Sequence, residues 1–282
     1  TVSYWPVPSA TLSGTTAVCA GQSATLTISL TGAAPYTFVY TDGTTPVTVT
    51  GHPTNTYTFT VTPSAAVTYT LVSMEDNHGC EGILSGSATV TIHAQPVLSF
   101  AVTNLQCNGD NSGAIDLTVT GSATNSFSWL GPDGFTAGTE DITGIKAGLY
   151  NVIVTSSDGC VASGQATVYQ PDVLTLSSTG NMVLLCNGDP TGAGSFTAAG
   201  GTAPYTFSTL VNTAGATLTP SATSVAVTDA GGGTITVRVT DAHNCTAEAT
   251  IIVTEPPALN LTATTTNISC FGGNNGTIIT SV

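Results

Sequence analysis

The sequence has very little positive charge. Lys146 and Arg238 are its only cationic residues against 16 Asp and Glu, so the formal net charge over 282 residues is −14. Nucleic-acid binding needs several Lys or Arg side chains facing phosphates, and anionic lipid surfaces attract the same residues. The composition therefore argues against a nucleic-acid partner and against an anionic membrane surface.

Long apolar runs and helical periodicity are also missing. No stretch of about 18 apolar residues occurs, so we predict no direct membrane insertion by a helix. The sequence does not start with the basic and apolar segments of a secretory signal. We therefore expect this chain to be an internal segment, or a matured piece, of a longer protein.

What the sequence does contain is alternation of apolar and polar residues, with Thr and Ser filling the polar positions. A period of two is typical of half-buried strands, and Thr favours a pleated surface. Turn dipeptides such as Asp42-Gly43 separate the runs. The pattern predicts an all-β chain of tandem immunoglobulin-like antiparallel β-sandwiches. The alternating sets are Leu26, Ile28, Leu30; Tyr57, Phe59, Val61; Ile115, Leu117, Val119; Tyr150, Val152, Val154; Ile235, Val237, Val239; and Ala249, Ile251, Val253.

Seven cysteines divide the chain into repeats, because long and short gaps alternate between them. In each short gap a strand runs into proline, and a cysteine then opens a turn rich in Gly and Asn. We predict a first module at 1–95, a middle module at 96–171, a third module at 172–257 and a fourth segment at 258–282, which is the start of a further, truncated module. The opening cysteines are Cys19, Cys107, Cys186 and Cys270, and the closing cysteines are Cys80, Cys160 and Cys245.

The repetition favours one disulfide in each module. Closing a loop of this length stabilises a small sandwich by about 4 kcal/mol in the chain-entropy model. Pairing across the short gaps, which would staple neighbouring modules together, stays open as an alternative. Paired cysteines in strand-rich modules imply an oxidising compartment. The predicted bonds are Cys19–Cys80, Cys107–Cys160 and Cys186–Cys245, with Cys270 unpaired.

Several phrases together resemble the SprB-type repeats of Bacteroidetes surface proteins. Residues 104–160 hold the pattern almost complete: Cys-Asn-Gly-Asp, then Phe-Ser-Trp, then Ile-Thr-Gly-Ile-Lys-Ala-Gly-Leu-Tyr-Asn-Val-Ile-Val-Thr-Ser-Ser-Asp-Gly-Cys. Residues 181–257 lose the equivalent of Tyr150, because Gly-Gly-Gly-Thr replaces Ala-Gly-Leu-Tyr, and residues 267–279 hold only the opening. The first module is similar to the generic immunoglobulin-like modules that accompany such repeats.

This resemblance implies a very long adhesin on the bacterial cell surface, exported by the type IX secretion route. Some members of that family are moved along the cell by the gliding motility machinery. The family has no catalytic residue to transfer, so we do not predict an enzyme. The implied partners are neighbouring modules of the same chain, and surface glycans or other cells.

Candidate ligand-binding residues are few. Oxygen donors beside the opening turn of the middle module make calcium a weak candidate cofactor, although Asn-Gly-Asp is also an ordinary turn sequence. His78 and His243 precede closing cysteines at matching positions, and we interpret them as turn residues with no metal site. The calcium candidates are Asn108, Asp110, Asn111 and Asp116.

The two tryptophans, Trp5 and Trp129, are the first candidates for a sugar-binding platform. Aromatic residues on strands are more often core, and we expect Trp129 to be buried beside Phe127 and Trp5 to pack at a module junction. The leading hypothesis is a non-catalytic stalk of disulfide-locked sandwiches that bears load and presents a distal adhesive region. The alternatives are a self-assembling extracellular filament, formed by strand addition between modules, and a carbohydrate-binding module.

Overall fold

The structure is a computed structural model that describes residues 5–122 and 125–282. Its contacts divide the chain into two compact units. The first unit comprises the residues up to Ala101 together with Ile115–Ile142 and Leu149–Ala166. The second comprises Val102–Ala114, Thr143–Gly148 and Thr167–Val282.

The described part of the first module consists of strands and turns. Its sheets have the strand orders β6-β3-β1-β8 and β2-β9-β7-β4-β5. Most neighbours are antiparallel, while β1 pairs with β8 and β2 with β9 in parallel. The strands are β1 (Ser9–Ser13), β2 (Thr16–Cys19), β3 (Ala24–Thr31), β4 (Tyr36–Thr41), β5 (Pro46–His52), β6 (Thr56–Val61), β7 (Val67–Glu75), β8 (Ile83–Ser85) and β9 (Ser87–His93).

The middle module adds two sheets, with the orders β10-β11-β14 and β13-β12-β15-β16. A 3-10 turn at Pro132–Gly134 interrupts the strands. The strands are β10 (Val97–Thr103), β11 (Gly113–Thr120), β12 (Asn125–Leu130), β13 (Thr136–Ala137), β14 (Ile142–Ile145), β15 (Gly148–Ser156) and β16 (Val161–Val168).

The third module has two four-stranded sheets, with the orders β17-β19-β22-β21 and β18-β24-β23-β20. The fourth segment forms the antiparallel hairpin β25-β26, and every residue of that hairpin is exposed. The strands are β17 (Thr175–Ser178), β18 (Met182–Val183), β19 (Gly192–Ala199), β20 (Thr206–Asn212), β21 (Thr217–Pro220), β22 (Ser224–Ala230), β23 (Gly233–Thr240), β24 (Thr246–Thr254), β25 (Thr262–Thr266) and β26 (Thr277–Ser281).

The cores follow the predicted alternation, and the all-β fold is confirmed. In the first module Leu26 and Ile28 are fully buried, and Tyr57 packs against them from the neighbouring strand. In the third module Ile235 and Val237 are buried among residues of the facing sheet. Burying apolar side chains on one face of each sheet is what holds two such layers together.

The first module carries its two cysteines at opposite ends. Because β2 runs parallel to β9, Cys19 lies opposite His93, where the chain leaves the module. The turn at Cys80 leads into Ile83, whose N–H donates to the carbonyl of Pro8 at 3.0 Å, where the chain enters. We call these the C-terminal and N-terminal ends of the module.

The third module has the same layout. At its C-terminal end, the N–H of Gly188 in the opening turn donates to the carboxylate of Glu255 at 2.9 Å. At its N-terminal end, N–H groups of the loop 200–202 donate to the carbonyl of Asp172 and to the carboxylate of Asp241, both at 2.9 Å. The opening cysteine thus marks one end and the closing cysteine the other.

No helix in residues 5–122 or 125–282 is long and apolar enough to cross a membrane.

Candidate functional site at the module junctions

Two disulfides join consecutive modules. Cys19 is bonded to Cys160 and Cys107 to Cys245, with Cα–Cα distances of 5.6 and 5.7 Å. In both cases the opening cysteine of one module is bonded to the closing cysteine of the next. The bonds span 141 and 138 residues, so each encloses parts of two modules in one covalent loop.

This pairing corrects the prediction of one disulfide inside each module. Strands of seven to nine residues such as β9 and β7 span about 23 to 30 Å, whereas a disulfide needs Cα atoms within about 7 Å. Cysteines at opposite ends of a sandwich therefore cannot meet. Pairing across the short gaps is not observed either. The predicted bonds that the structure replaces are Cys19–Cys80, Cys107–Cys160 and Cys186–Cys245, and the unpaired cysteines are Cys80, Cys186 and Cys270.

Each closing turn is built around one buried polar residue placed four positions before the cysteine. These residues are Asp76, Ser156 and Asp241, which are 7%, 6% and 5% exposed. The backbone N–H of each donates to the carbonyl of its closing cysteine at 2.9 to 3.2 Å. The same repeat position thus shapes the turn in all three modules.

In the third module the carboxylate of Asp241 connects two loops. It accepts hydrogen bonds of 2.9 Å from the N–H groups of Thr202, His243 and Cys245. Burial opposes ionisation of this group, but the three donors outweigh it and lower the pKa of Asp241. A Cβ added to Gly201, which has a positive φ of 60°, would lie 2.7 Å from the carboxylate, so glycine permits this close approach.

The first module repeats this arrangement. The carboxylate of Asp76 accepts hydrogen bonds from the N–H groups of Ala33, His78 and Cys80 at 2.9 to 3.3 Å. Burial again opposes ionisation, and the three backbone donors again lower the pKa of Asp76. The structure places His78 and His243 in the predicted turns, where the backbone N–H of each donates to the aspartate two positions before it.

Oxygens of the calcium candidates take part in the opening turn of the middle module. One oxygen of Asp110 accepts the N–H of Cys107 at 2.9 Å, and the other accepts the N–H and hydroxyl of Ser112 at 3.0 and 2.9 Å. The bond from the Ser112 backbone is the main cause of a lowered pKa of Asp110. Asn108 donates to the carbonyl of Pro171 at 2.9 Å.

The other two calcium candidates, Asn111 and Asp116, are exposed. Over the described part of the chain, no cluster of three or more His, Cys, Asp or Glu is arranged to hold a metal ion. The observed contacts of Asp110 are those of an ordinary turn. Calcium binding at these residues stays a prediction.

The two tryptophans have different environments. Trp129 is 1% exposed and its Nε1–H donates to the carbonyl of Thr139 at 2.9 Å, so it is a core residue and cannot offer a face to a sugar. Trp5 is 66% exposed and stacks on His78 of the closing turn, with ring centroids 4.1 Å apart. Only Trp5 remains as a candidate ligand aromatic, and its contact with the closing turn lies at the N-terminal end of the module.

A histidine–carboxylate contact lies beside the first inter-module bond. Nδ1 of His93 is 3.3 Å from a carboxylate oxygen of Asp158, and both side chains are partly exposed. His93 is the strand neighbour of Cys19, and Asp158 precedes Cys160 by two residues. Polar contact therefore accompanies the covalent bond at this junction.

Sequence reasoning missed the role of Asp76 and Asp241. A signal for it was present, because the first and third modules share both Asp-x-x-x-Cys and Gly-x-Ala-Pro-Tyr, while the middle module lacks both phrases. Two motifs that occur and vanish together indicate residues in contact. The loops at 32–36 and 201–205 are the partners that the two aspartates bind.

Comparison with known proteins gives one family match. Residues 99–134 match the model of the SprB repeat, and this range lies within the middle module. No curated protein matches the chain. Among solved structures, the chain is similar to the I-band fragment I67-I69 from titin at 13% identity and a TM-score of 0.41, covering 90% of this chain and 98% of that one. It is also similar to the N-terminal eight Ig domains of Down Syndrome Cell Adhesion Molecule at 12% identity and a TM-score of 0.48, covering 90% of this chain and 37% of that one.

Proposed function

We propose that this chain, with a SprB repeat in its middle module, is a non-catalytic stalk segment of a long adhesin on the bacterial cell surface. The observation that carries the proposal is the pair of disulfides that join consecutive modules. Such bonds persist only in an oxidising compartment, which supports an extracellular location. The net charge of −14, with only two Lys or Arg residues, argues against nucleic-acid and anionic-lipid ligands and is compatible with a spacer.

The mechanism is mechanical. A tensile force along an unbridged chain is resisted only by the strands of one module at a time. Here the force also crosses from Cys19 to Cys160 and from Cys107 to Cys245, so the bonded segments cannot be pulled out to full length. When both bonds are intact, the shortest covalent path between the two ends of the chain bypasses the residues between Cys19 and Cys107 and those between Cys160 and Cys245. About 170 residues, or about 580 Å of contour, are therefore not stretched. The bridges therefore limit extension across modules rather than inside them.

Single-molecule pulling from the two chain termini tests this function. We expect the fully unfolded contour to lengthen by about 580 Å when both bonds are reduced. A chain with Cys80, Cys186 and Cys270 replaced by Ser is the matched control and should show the same gain, because those cysteines are unpaired. Equal contour lengths with and without reductant would refute the load-limiting role.

The filament hypothesis keeps one supporting observation. The hairpin β25-β26 exposes every residue, including Ile278 at 72% and Ile279 at 63%, and such strands can add to the sheet of another copy. Electron microscopy of the purified chain discriminates between the two functions. Ordered fibres would favour the filament, and single separated chains would favour the stalk.

A further inference from the structure

The opening turn at Cys186 has the same construction as the bonded turn at Cys107. Asn187 donates from Nδ2 to the carbonyl of Pro256 at 3.0 Å, as Asn108 does to the corresponding proline of the middle module at 2.9 Å. Cys186 nevertheless is exposed and has a free thiol. The turn is thus already formed in the shape that holds a disulfide elsewhere in the chain.

The next backbone contact in these turns matches as well. Gly188 donates its N–H to the carboxylate of Glu255, and Gly109 donates its N–H to the side-chain oxygen of Gln170, both at 2.9 Å. The two acceptors occupy the same place, directly before the junction proline. What differs is the partner: the next module supplies a closing turn for Cys107, whereas the segment after the third module, residues 258–282, contains the opening cysteine Cys270 and no closing cysteine.

A second observation points to a partner at this end. Val183 and Leu185 beside the cysteine are 80% and 94% exposed, and Leu259 and Leu261 after the junction are 82% and 63% exposed. Leu259 and Leu261 occupy the positions of Leu174 and Leu176 at the previous junction, where Leu176 belongs to the core of the third module and Leu174 packs against it. Val183 and Leu185 occupy the positions of the polar residues Asn104 and Gln106. Apolar surface of this kind is covered when a further sandwich is present.

The other unpaired cysteine is of the complementary type. Cys80 lies in a complete closing turn in which the N–H of Cys80 donates to Asp76, just as the N–H of bonded Cys245 donates to Asp241. Its opening partner would belong to a module before the first. Cys270 begins an opening turn, so the pattern does not join it to Cys186.

We propose that every junction of this protein follows one rule, in which the opening cysteine of a module is bonded to the closing cysteine of the next. Cys186 is then the attachment site for the closing turn of the following repeat module, and Cys80 for the opening turn of a preceding one. Each bond forms when two thiols lose two protons and two electrons to a disulfide oxidant such as glutathione disulfide, which becomes two molecules of glutathione. The rule rests on the two observed bonds and not on the stalk function.

The direct test supplies the missing closing turn. The chain is prepared with residues 258–282 replaced by a second copy of residues 172–257, marked by His243→Gln in that copy, and oxidised in a glutathione buffer. Non-reducing peptide mapping should show Cys186 bonded to the closing cysteine of the added copy, with two titratable thiols left. In the matched Cys186→Ser variant the added closing cysteine should be a free thiol. A free Cys186, or a bond to any other cysteine, would overturn the rule.

If the added copy is digested rapidly by protease and is therefore unfolded, the rule is tested on the 282-residue chain instead. With Cys270→Ser, concentrated protein in the same buffer should form dimers through Cys186 of one copy and Cys80 of another, and Cys80→Ser should abolish them. Dimers through two Cys186 thiols, or no covalent dimer, would contradict the rule. Either failure leaves the two observed bonds and the pulling experiment untouched, so the stalk function is judged separately.

Discussion

The closing turns of the third and middle modules both hold a disulfide-bonded cysteine, but a different buried residue supports each turn. In the third module Asp241 binds the turn and also the N–H of Thr202 in a neighbouring loop. In the middle module Ser156 occupies the same position, and its hydroxyl accepts only the N–H of Cys160, at 3.1 Å, among its described contacts with the turn. A closing cysteine is therefore bonded with either residue at this position, and aspartate occupies it in the two modules where it also binds a second loop.

The largest expected effect comes from removing either bond, whichever residue supports the turn. Cys245→Ser and Cys160→Ser open loops of 138 and 141 residues, and the chain-entropy model assigns each about 5 kcal/mol at most. We expect similar losses of unfolding free energy in urea denaturation. Cys186→Ser is the control and should leave the curve unchanged. Unequal losses for the two bonds would show that the supporting residue matters more than the loop.

The next largest effect is a difference in unfolding free energy between variants of the two supporting residues, Asp241 and Ser156. Asp241→Ala leaves three N–H donors without their acceptor and should cost about 2 kcal/mol, whereas Ser156→Ala removes one bond and should cost about 1 kcal/mol. Asp241→Asn keeps one carbonyl oxygen and should fall between the wild type and Asp241→Ala. Urea denaturation of the three variants checks the order. A larger loss for Ser156→Ala would reverse the comparison.

Lowering the pH should destabilise the closing turn of the third module more than that of the middle module. The pKa of Asp241 is lowered in the folded state, so its stabilisation is complete above the unfolded pKa near 4 and is lost as the pH falls toward the lowered folded value. The middle module has a serine there and should lack this loss. Hydrogen exchange of the two closing turns between about pH 5 and pH 2 measures it, with Asp241→Asn as the control that removes the titration. Parallel acid loss in both turns would contradict the assignment.

The smallest effect concerns the contact between His93 and Asp158 beside the first bond. His93 and Asp158 are partly exposed, so Asp158→Asn should cost about 0.5 kcal/mol or less, and salt should reduce the effect further. Thermal unfolding at low and high salt measures it. A loss comparable to that of Cys160→Ser would mean that the polar contact, and not the disulfide, holds this junction.

Much of the fold could be predicted from the sequence because strand alternation is a local signal. The sets around Leu26, Ile115 and Ile235 face the cores as expected, and the buried position of Trp129 followed from its place beside Phe127 on one strand face. The module boundaries at 95, 171 and 257 stay predictions, although each sheet of the three modules is formed within them.

The cysteine pairing could not be predicted in the same way. Repetition shows that Cys19, Cys107 and Cys186 are equivalent, but it does not show at which end of the sandwich they lie. That depends on the parallel pairing of β2 with β9, which is a non-local contact between the start and the end of the first module. Repetition favours a bond between the two cysteines of one module, and the length of the strands between them forbids it.

Non-reducing peptide mapping of the purified chain, with free thiols alkylated before digestion, tests the central claim most directly. The structure predicts peptides that join Cys19 to Cys160 and Cys107 to Cys245, with Cys80, Cys186 and Cys270 alkylated. Peptides that join Cys19 to Cys80 or Cys107 to Cys160 would place the bonds inside the modules and contradict the account.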